Sequence, residues 1–185
     1  ADNGTVMRAV LQGPYDSFES DYFAAGQPVS VRPLHWGDLA RAELLLRMGR
    51  VDEAIDGYGD AARRWPKSAV ALNAYGYTLA DRTDRYREAE KLIRKALRYD
   101  PKNPAIIDSM GWVLFKLGKY EEALVELERA YADMPDPEVA AHIVETLVAL
   151  GRNDEALERL VEAEERTPDS SMLEEARKGL FSDAP

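Results

Sequence analysis

The chain has 185 residues, 45% hydrophobic and 31% charged, with a formal net charge of −10 and no cysteine. That balance suits a folded helical protein rather than a disordered one, and the lack of cysteine excludes disulfides, a thiol nucleophile and thiolate metal sites while leaving the redox compartment open. An acidic chain without a coherent basic groove is a poor partner for nucleic acid, and no run approaches the roughly 18 apolar residues of a membrane-spanning helix.

Residues 1–34 carry no internal period. No signal-peptide pattern follows Ala1, so the chain reads as cytosolic or as one lacking its targeting segment. Residues 6–11 are a short apolar piece, and residues 14–25 read as a helix placing Phe18 and Tyr22 one turn apart. Gly26, Gln27 and Pro28 end that helix, and residues 29–33 read as extended. Three readings stand for this N-terminal extension: it packs on the element that follows, it is the tail of an earlier degenerate repeat, or it lies in a groove and blocks it.

From about residue 35 a period takes over. Four triplets recur, Ala54, Ala61 and Pro66, then Ala89, Ala96 and Pro101, then Ala123, Ala130 and Pro135, then Ala156, Ala163 and Pro168. A glutamate precedes each first alanine, and Tyr58, Ile93, Leu127 or Leu160 follows it by four residues. The prolines step by 35, 34 and 33 residues, a spacing that predicts a stack of similar units. Alanines seven apart share one helix face and make a flat stripe that a neighbouring helix can approach closely. The proline stops the helix, and Gly49, Gly118 and Gly151, five residues ahead of three of the triplets, suit the left-handed end of a preceding helix. The unit is helix, tight turn, helix, stop. After the last proline, Ser170 and Ser171 can cap a helix over residues 172–180 that puts Leu173, Ala176 and Leu180 on one face, covering the apolar flank of the stack.

Charge is uneven along these units. Glutamates crowd the third and fourth, whereas the second helix of the second unit carries Arg87, Lys91, Arg94, Lys95 and Arg98, mostly away from its alanines. Those cations form a solvated face or a contact for an acidic partner. No chemistry of catalysis is apparent. His35 and His142 lie in different units with no second ligand at helical spacing, so no metal site is expected. There is no phosphate loop and no nucleophile elbow, and the glutamate runs read as solvation. No catalytic residue and no cofactor are expected.

The spacing resembles the tetratricopeptide repeat. On that frame the repeats span about 35–68, 69–103, 104–136 and 137–170, between an N-terminal extension over 1–34 and a capping helix with tail over 171–185. The third fits best, with Gly111, Gly118, Tyr120, Ala123, Ala130 and Pro135 in place. The second has one extra residue in its turn, Asp81 to Arg85, in place of the turn glycine, and the first is degenerate, with Asp38 and Arg41 at usually apolar places. The resemblance implies an all-α fold: an α-solenoid, a right-handed superhelix of about four helical hairpins plus a C-terminal capping helix. It further implies a non-enzymatic scaffold whose inner wall is lined by the first helix of each repeat.

On that wall the family frame puts Asn73 and Tyr77 from repeat two, Asp108, Trp112 and Lys116 from repeat three, and His142 and Glu145 from repeat four. These seven are the candidate peptide-binding groove. Asn73 can donate to and accept from a peptide backbone, Tyr77 and Trp112 offer rigid aromatic surface, and His142 and Glu145 could tune a polar end. Core packing between repeats is the competing role for Trp112. The cationic clamp by which chaperone-associated members hold a carboxylate is missing in either register, which argues against a co-chaperone role.

Residues 71–83, 108–113 and 137–142 are similar in wording to bacterial envelope repeat lipoproteins, among them adaptors that bind a carboxy-terminal processing protease and present substrates to it. That resemblance implies the periplasmic side of the outer membrane, with the cytoplasm as the alternative. Two functions follow: a scaffold or adaptor for a protein or extended peptide, possible protease included, or an assembly element that self-associates through repeat flanks or the N-terminal arm.

Overall fold

The computed structural model describes residues 20–24, 27–31 and 36–182. The chain divides into two compact units, residues 1–66 and 67–185.

In the first unit two short strands, β1 (Ser20–Ala24) and β2 (Gln27–Val31), pair antiparallel with Tyr22 opposite Val29 and Phe23 opposite Pro28. The expected helix over 14–25 is therefore corrected for residues 20–24, which are extended. The four-residue spacing of Phe18 and Tyr22 fits a helix, but the aromatics of residues 20–24 and the valines of residues 27–31 favour extended backbone. Residues 6–11 and 14–19 lie outside the described residues. Two antiparallel helices follow, α1 (Trp36–Arg47) and α2 (Val51–Arg64). The degenerate repeat is helical despite Asp38, which accepts a hydrogen bond from Arg64 at 2.8 Å, while Leu39 and Ala42 turn inward.

The second unit continues the pattern with α3 (Ala69–Arg82), α4 (Tyr86–Tyr99), α5 (Pro104–Lys116), α6 (Tyr120–Asp133), α7 (Pro137–Ala149), α8 (Asn153–Arg166) and α9 (Ser171–Ser182). The described residues thus hold nine helices, four hairpins and a final single helix. All eight triplet alanines are at most 1% exposed, and Tyr58, Ile93, Leu127 and Leu160 are buried beside them. Helices meet there at close range: a Cβ built at Gly111 would stand 2.5 Å from Leu127 Cγ, and one at Gly76 would stand 2.7 Å from Ile93 Cγ1. The small stripe of one helix and the missing side chain of its hairpin partner are two halves of one fit.

Caps set the ends. Ser68, Asn103 and Asp136 each accept a backbone N–H from the first turn of α3, α5 and α7, and Pro104 and Pro137 open the latter two. Gly49, Gly118 and Gly151 adopt φ of 74°, 73° and 72°. Around Gly118 the amide of Lys119 reaches the Leu114 carbonyl and that of Gly118 reaches Phe115, the paired bonds of a left-handed helix stop, and the same pair recurs at Gly49 and Gly151. Each triplet proline lies two residues beyond its helix. Helix α9 buries Leu173, Ala176 and Leu180 in one cluster with Val139, Ile143, Leu147 and Leu160.

Candidate functional site

The first helices of repeats two to four, α3, α5 and α7, bring the seven candidate residues to one wall of the second unit. Their spacing follows from the repeat: a step of 34 residues lands nearly the same helix position on the next hairpin, so side chains far apart in sequence stand side by side. The buried hydroxyls beside them on the same helices are satisfied at home. Thr78, Ser109 and Thr146 each donate to the carbonyl four residues back, at 2.8, 2.9 and 2.7 Å.

At the centre lies a charged pair. Asp108 of α5 and His142 of α7 meet at 2.9 Å, Oδ1 to Nδ1, with both side chains 8% exposed. An ionised carboxylate can only accept, so Nδ1 carries the proton and donates. Burial alone would depress the imidazole, but the hydrogen bond and charge of Asp108, with Glu138 and Glu145 nearby, raise its pKa above the usual histidine value. Trp112 stacks on that imidazole, ring centres 4.2 Å apart and planes 17° apart, and on Phe115 at 5.0 Å and 4°. Lys116 sets its ammonium 4.2 Å from the centre of the Trp112 ring.

Tyr77 of α3 reaches across to α7. Its hydroxyl donates to Glu138 Oε1 at 2.6 Å, and burial, then the bond to Glu138, push the phenol far above its ordinary range, so it stays a donor. Glu138 is a member of the wall that the candidate set lacked. The signal lies in its register, because Tyr77 and Glu138 are both wall positions of alternate repeats. Glu145 is partly buried, which raises its carboxyl pKa against the opposing pull of His142 and Lys116.

The geometry sorts the candidates. Asp108, Trp112 and His142 are buried and hold α5 to α7, whereas Asn73, Tyr77, Lys116 and Glu145 retain partial exposure. Two polar atoms on this wall are buried with no partner among the described residues, the amide oxygen of Asn73 and the indole Nε1 of Trp112. In the first unit Glu43 and Arg47 pair with each other at 3.1 Å. No cluster of three or more metal-ligating side chains occurs among the described residues, and none of their helices is long and apolar enough to cross a membrane.

Comparison with known proteins accounts for the architecture. Family models described as tetratricopeptide repeat match residues 39–104, 82–141 and 114–178. A TPR repeat-containing protein of Pseudomonas aeruginosa is 55% identical over 82 residues, 44% of this chain but 14% of that relative's length. A thermophilic TPR protein of Thermus thermophilus superposes with a TM-score of 0.70 at 23% identity, covering 79% of this chain and 80% of that one. Pseudomonas aeruginosa pilF gives 0.67 at 21% over 79% and 67% of the two chains. YrrB, described as a TPR protein with an unusual peptide-binding site, gives 0.56 at 25% over 78% and 75%. The paired helices, the alanine stripes and these matches together make the chain a member of the tetratricopeptide repeat family, whose fold generally serves as a non-catalytic scaffold for binding proteins.

Proposed function

We propose that the wall built by α3, α5 and α7 holds an extended segment of a partner protein, and that the chain acts as an adaptor presenting such segments to a carboxy-terminal processing protease on the periplasmic side of the outer membrane. One observation carries the first half. Asn73 Oδ1 and Trp112 Nε1, an acceptor and a donor, are buried on one wall without partners among the described residues, and a buried polar group left unpaired costs about 1–3 kcal/mol. A peptide backbone offers the complementary donor and acceptor on every residue and satisfies both with little demand on sequence. The peptide-binding site ascribed to YrrB supports use of such a fold in this way. The protease and the compartment rest on the likeness of residues 71–83, 108–113 and 137–142 to envelope adaptors.

The test is capture from a periplasmic extract on the immobilised chain, with partners identified by mass spectrometry and affinity measured by calorimetry. Asn73→Ala combined with Trp112→Phe removes the acceptor and the donor while keeping both ring and helix. Partner segments bound equally well by wild type and by this folded variant overturn the wall, and an extract that yields no processing protease overturns the adaptor role.

A further inference from the structure

Most arginines of the second unit hold a carboxylate: Arg85 with Glu88, Arg94 with Glu90, Arg152 with Glu155, Arg159 with Glu128, Arg177 with Glu164. Four cations on α4, Arg87, Lys91, Lys95 and Arg98, do not, and Lys95 is half-buried. Arg87, Lys91 and Arg98 are exposed, lie four and then seven residues apart on one helix face, and make no hydrogen bond or ion pair to another described residue. Like charges at this spacing repel along a helix, so the face carries a cost that nothing inside the unit offsets.

The same three positions of α8, 67 residues further on, hold Asp154, Glu158 and Glu165. These too are exposed and without a partner among the described residues. The repeat frame makes the two sets equivalent, since Ala89 and Ala96 of α4 correspond to Ala156 and Ala163 of α8 by the same shift. One outer face is thus cationic in repeat two and anionic in repeat four. Between them in the repeat order, α6 carries Val125 at the corresponding place, 67% exposed and the most exposed large hydrophobic side chain among the described residues.

We propose that this face binds a second copy of the chain, α4 of each copy lying on α8 of the other. A two-fold pairing satisfies both faces at once, because in such an interface a contact from one residue to another is returned in reverse. Arg87 then meets Asp154, Lys91 meets Glu158 and Arg98 meets Glu165 of the partner, twice over, with Val125 against its own counterpart. A one-way contact of α4 on α8 leaves a free face at each end and grows into a filament; the two-fold closes. Exposed ion pairs are individually weak and screened by salt, so the dimer is concentration-dependent and loosens as ionic strength rises.

Sedimentation velocity of the full chain over a concentration series, at low and high salt, reads this directly. Wild type is expected to dimerise at low salt. Lys91→Glu with Arg98→Glu, and separately Glu158→Lys with Glu165→Lys, set like charges opposite each other and are expected to weaken the dimer by about tenfold or more. Mixing the two variants restores both complementary face pairs in the heterodimer, and joining all four substitutions in one chain restores both in a homodimer. A wild type that stays monomeric at low salt overturns the proposal, as does a dimer indifferent to either reversal. Loss without recovery in the fourfold variant also overturns it, and then assigns the cationic face to another acidic partner. Melting by circular dichroism accompanies each variant, all four sites being exposed.

Discussion

The imidazole of His142 donates from Nδ1 to Asp108 Oδ1 at 2.9 Å, and this one buried contact ties the first helix of repeat four to that of repeat three. Its protonation sets a pH dependence of stability. The folded pKa is raised above the ordinary 6.5, chiefly by Asp108 working against the depressing effect of burial. The folded state therefore holds a proton that the unfolded chain gives up between 6.5 and the higher folded value. The pair's contribution is full below the unfolded pKa and is lost as pH rises through the folded one. Glu145, raised by burial, acts with the same sign but from 4.5 upward. Urea midpoints are expected to fall from neutral to mildly alkaline pH in wild type and to flatten in His142→Phe. An unchanged slope in the variant would remove His142 as the cause.

Gly111→Ala sets two effects against each other. Alanine in a helix interior gains about 1 kcal/mol over glycine in propensity. The new Cβ, however, would stand 2.5 Å from Leu127 Cγ, 2.7 Å from Leu127 Cδ2 and 3.2 Å from the Ala123 carbonyl. Leu127 is fully buried and has nowhere to move, so overpacking of about 1–3 kcal/mol wins. The melting temperature is expected to drop. At Gly179 of α9 a Cβ meets nothing within 4 Å, and the same substitution is expected to leave stability unchanged or raise it by up to about 1 kcal/mol. A rise at both glycines would mean that α5 and α6 do not meet at close range.

The scaffold was legible in the sequence because it is written in residue size and period. Ala123, Ala130, Gly118 and Pro135 each have one backbone or packing reason for being small, left-handed or donor-free, and those reasons repeat every 33 to 35 residues. The wall was legible as positions and not as contacts. Asp108 and His142 both belong to it, but a groove frame gives facing without burial, and it leaves Trp112 open between exposed aromatic surface and core packing, where the structure stacks it on His142 and Phe115. Tyr77 and Glu138 are bonded across 61 residues, skipping a whole repeat, which local periodicity cannot show. The strand pair over residues 20–31 is hidden for a simpler reason: Phe18 and Tyr22 stand four apart, a helical spacing, while the two β-prone runs on either side of Gly26 are only five residues each.

Tyr77→Phe tests that long link. The substitution keeps the ring and removes the 2.6 Å bond from the hydroxyl to Glu138, leaving a part-buried carboxylate short of a donor. Hydrogen bonds to charged groups contribute about 1.5–3 kcal/mol, so guanidinium unfolding is expected to show a loss at the lower end of that range, given the partial exposure. Pairing it with Glu138→Gln discriminates further. If the two residues interact as described, the double variant loses less than the sum of the singles. Strict additivity would mean that the hydroxyl serves some other group.

The turn of repeat two achieves with a side chain what the other turns achieve with a glycine, and this gives opposite expectations for two small substitutions. Gly118 sits at φ 73°, where a Cβ meets no neighbour but strains its own backbone, so Gly118→Ala is expected to cost about 1 kcal/mol. Thr83 is extended, with φ −143° and ψ 178°, and needs no such freedom. Its hydroxyl instead donates to the Leu79 carbonyl at 2.6 Å and accepts from the Arg85 amide at 3.1 Å, ending α3 and setting up α4 in the same stroke. Thr83→Ser keeps both bonds and is expected to be nearly neutral, whereas Thr83→Gly loses both and is expected to cost about 1–2 kcal/mol even though it restores a glycine to the turn. Thermal melts of the three variants decide it: a stabilised Thr83→Gly would show that the extra residue in this turn is tolerated slack and that the hydroxyl does not hold the two helices in place.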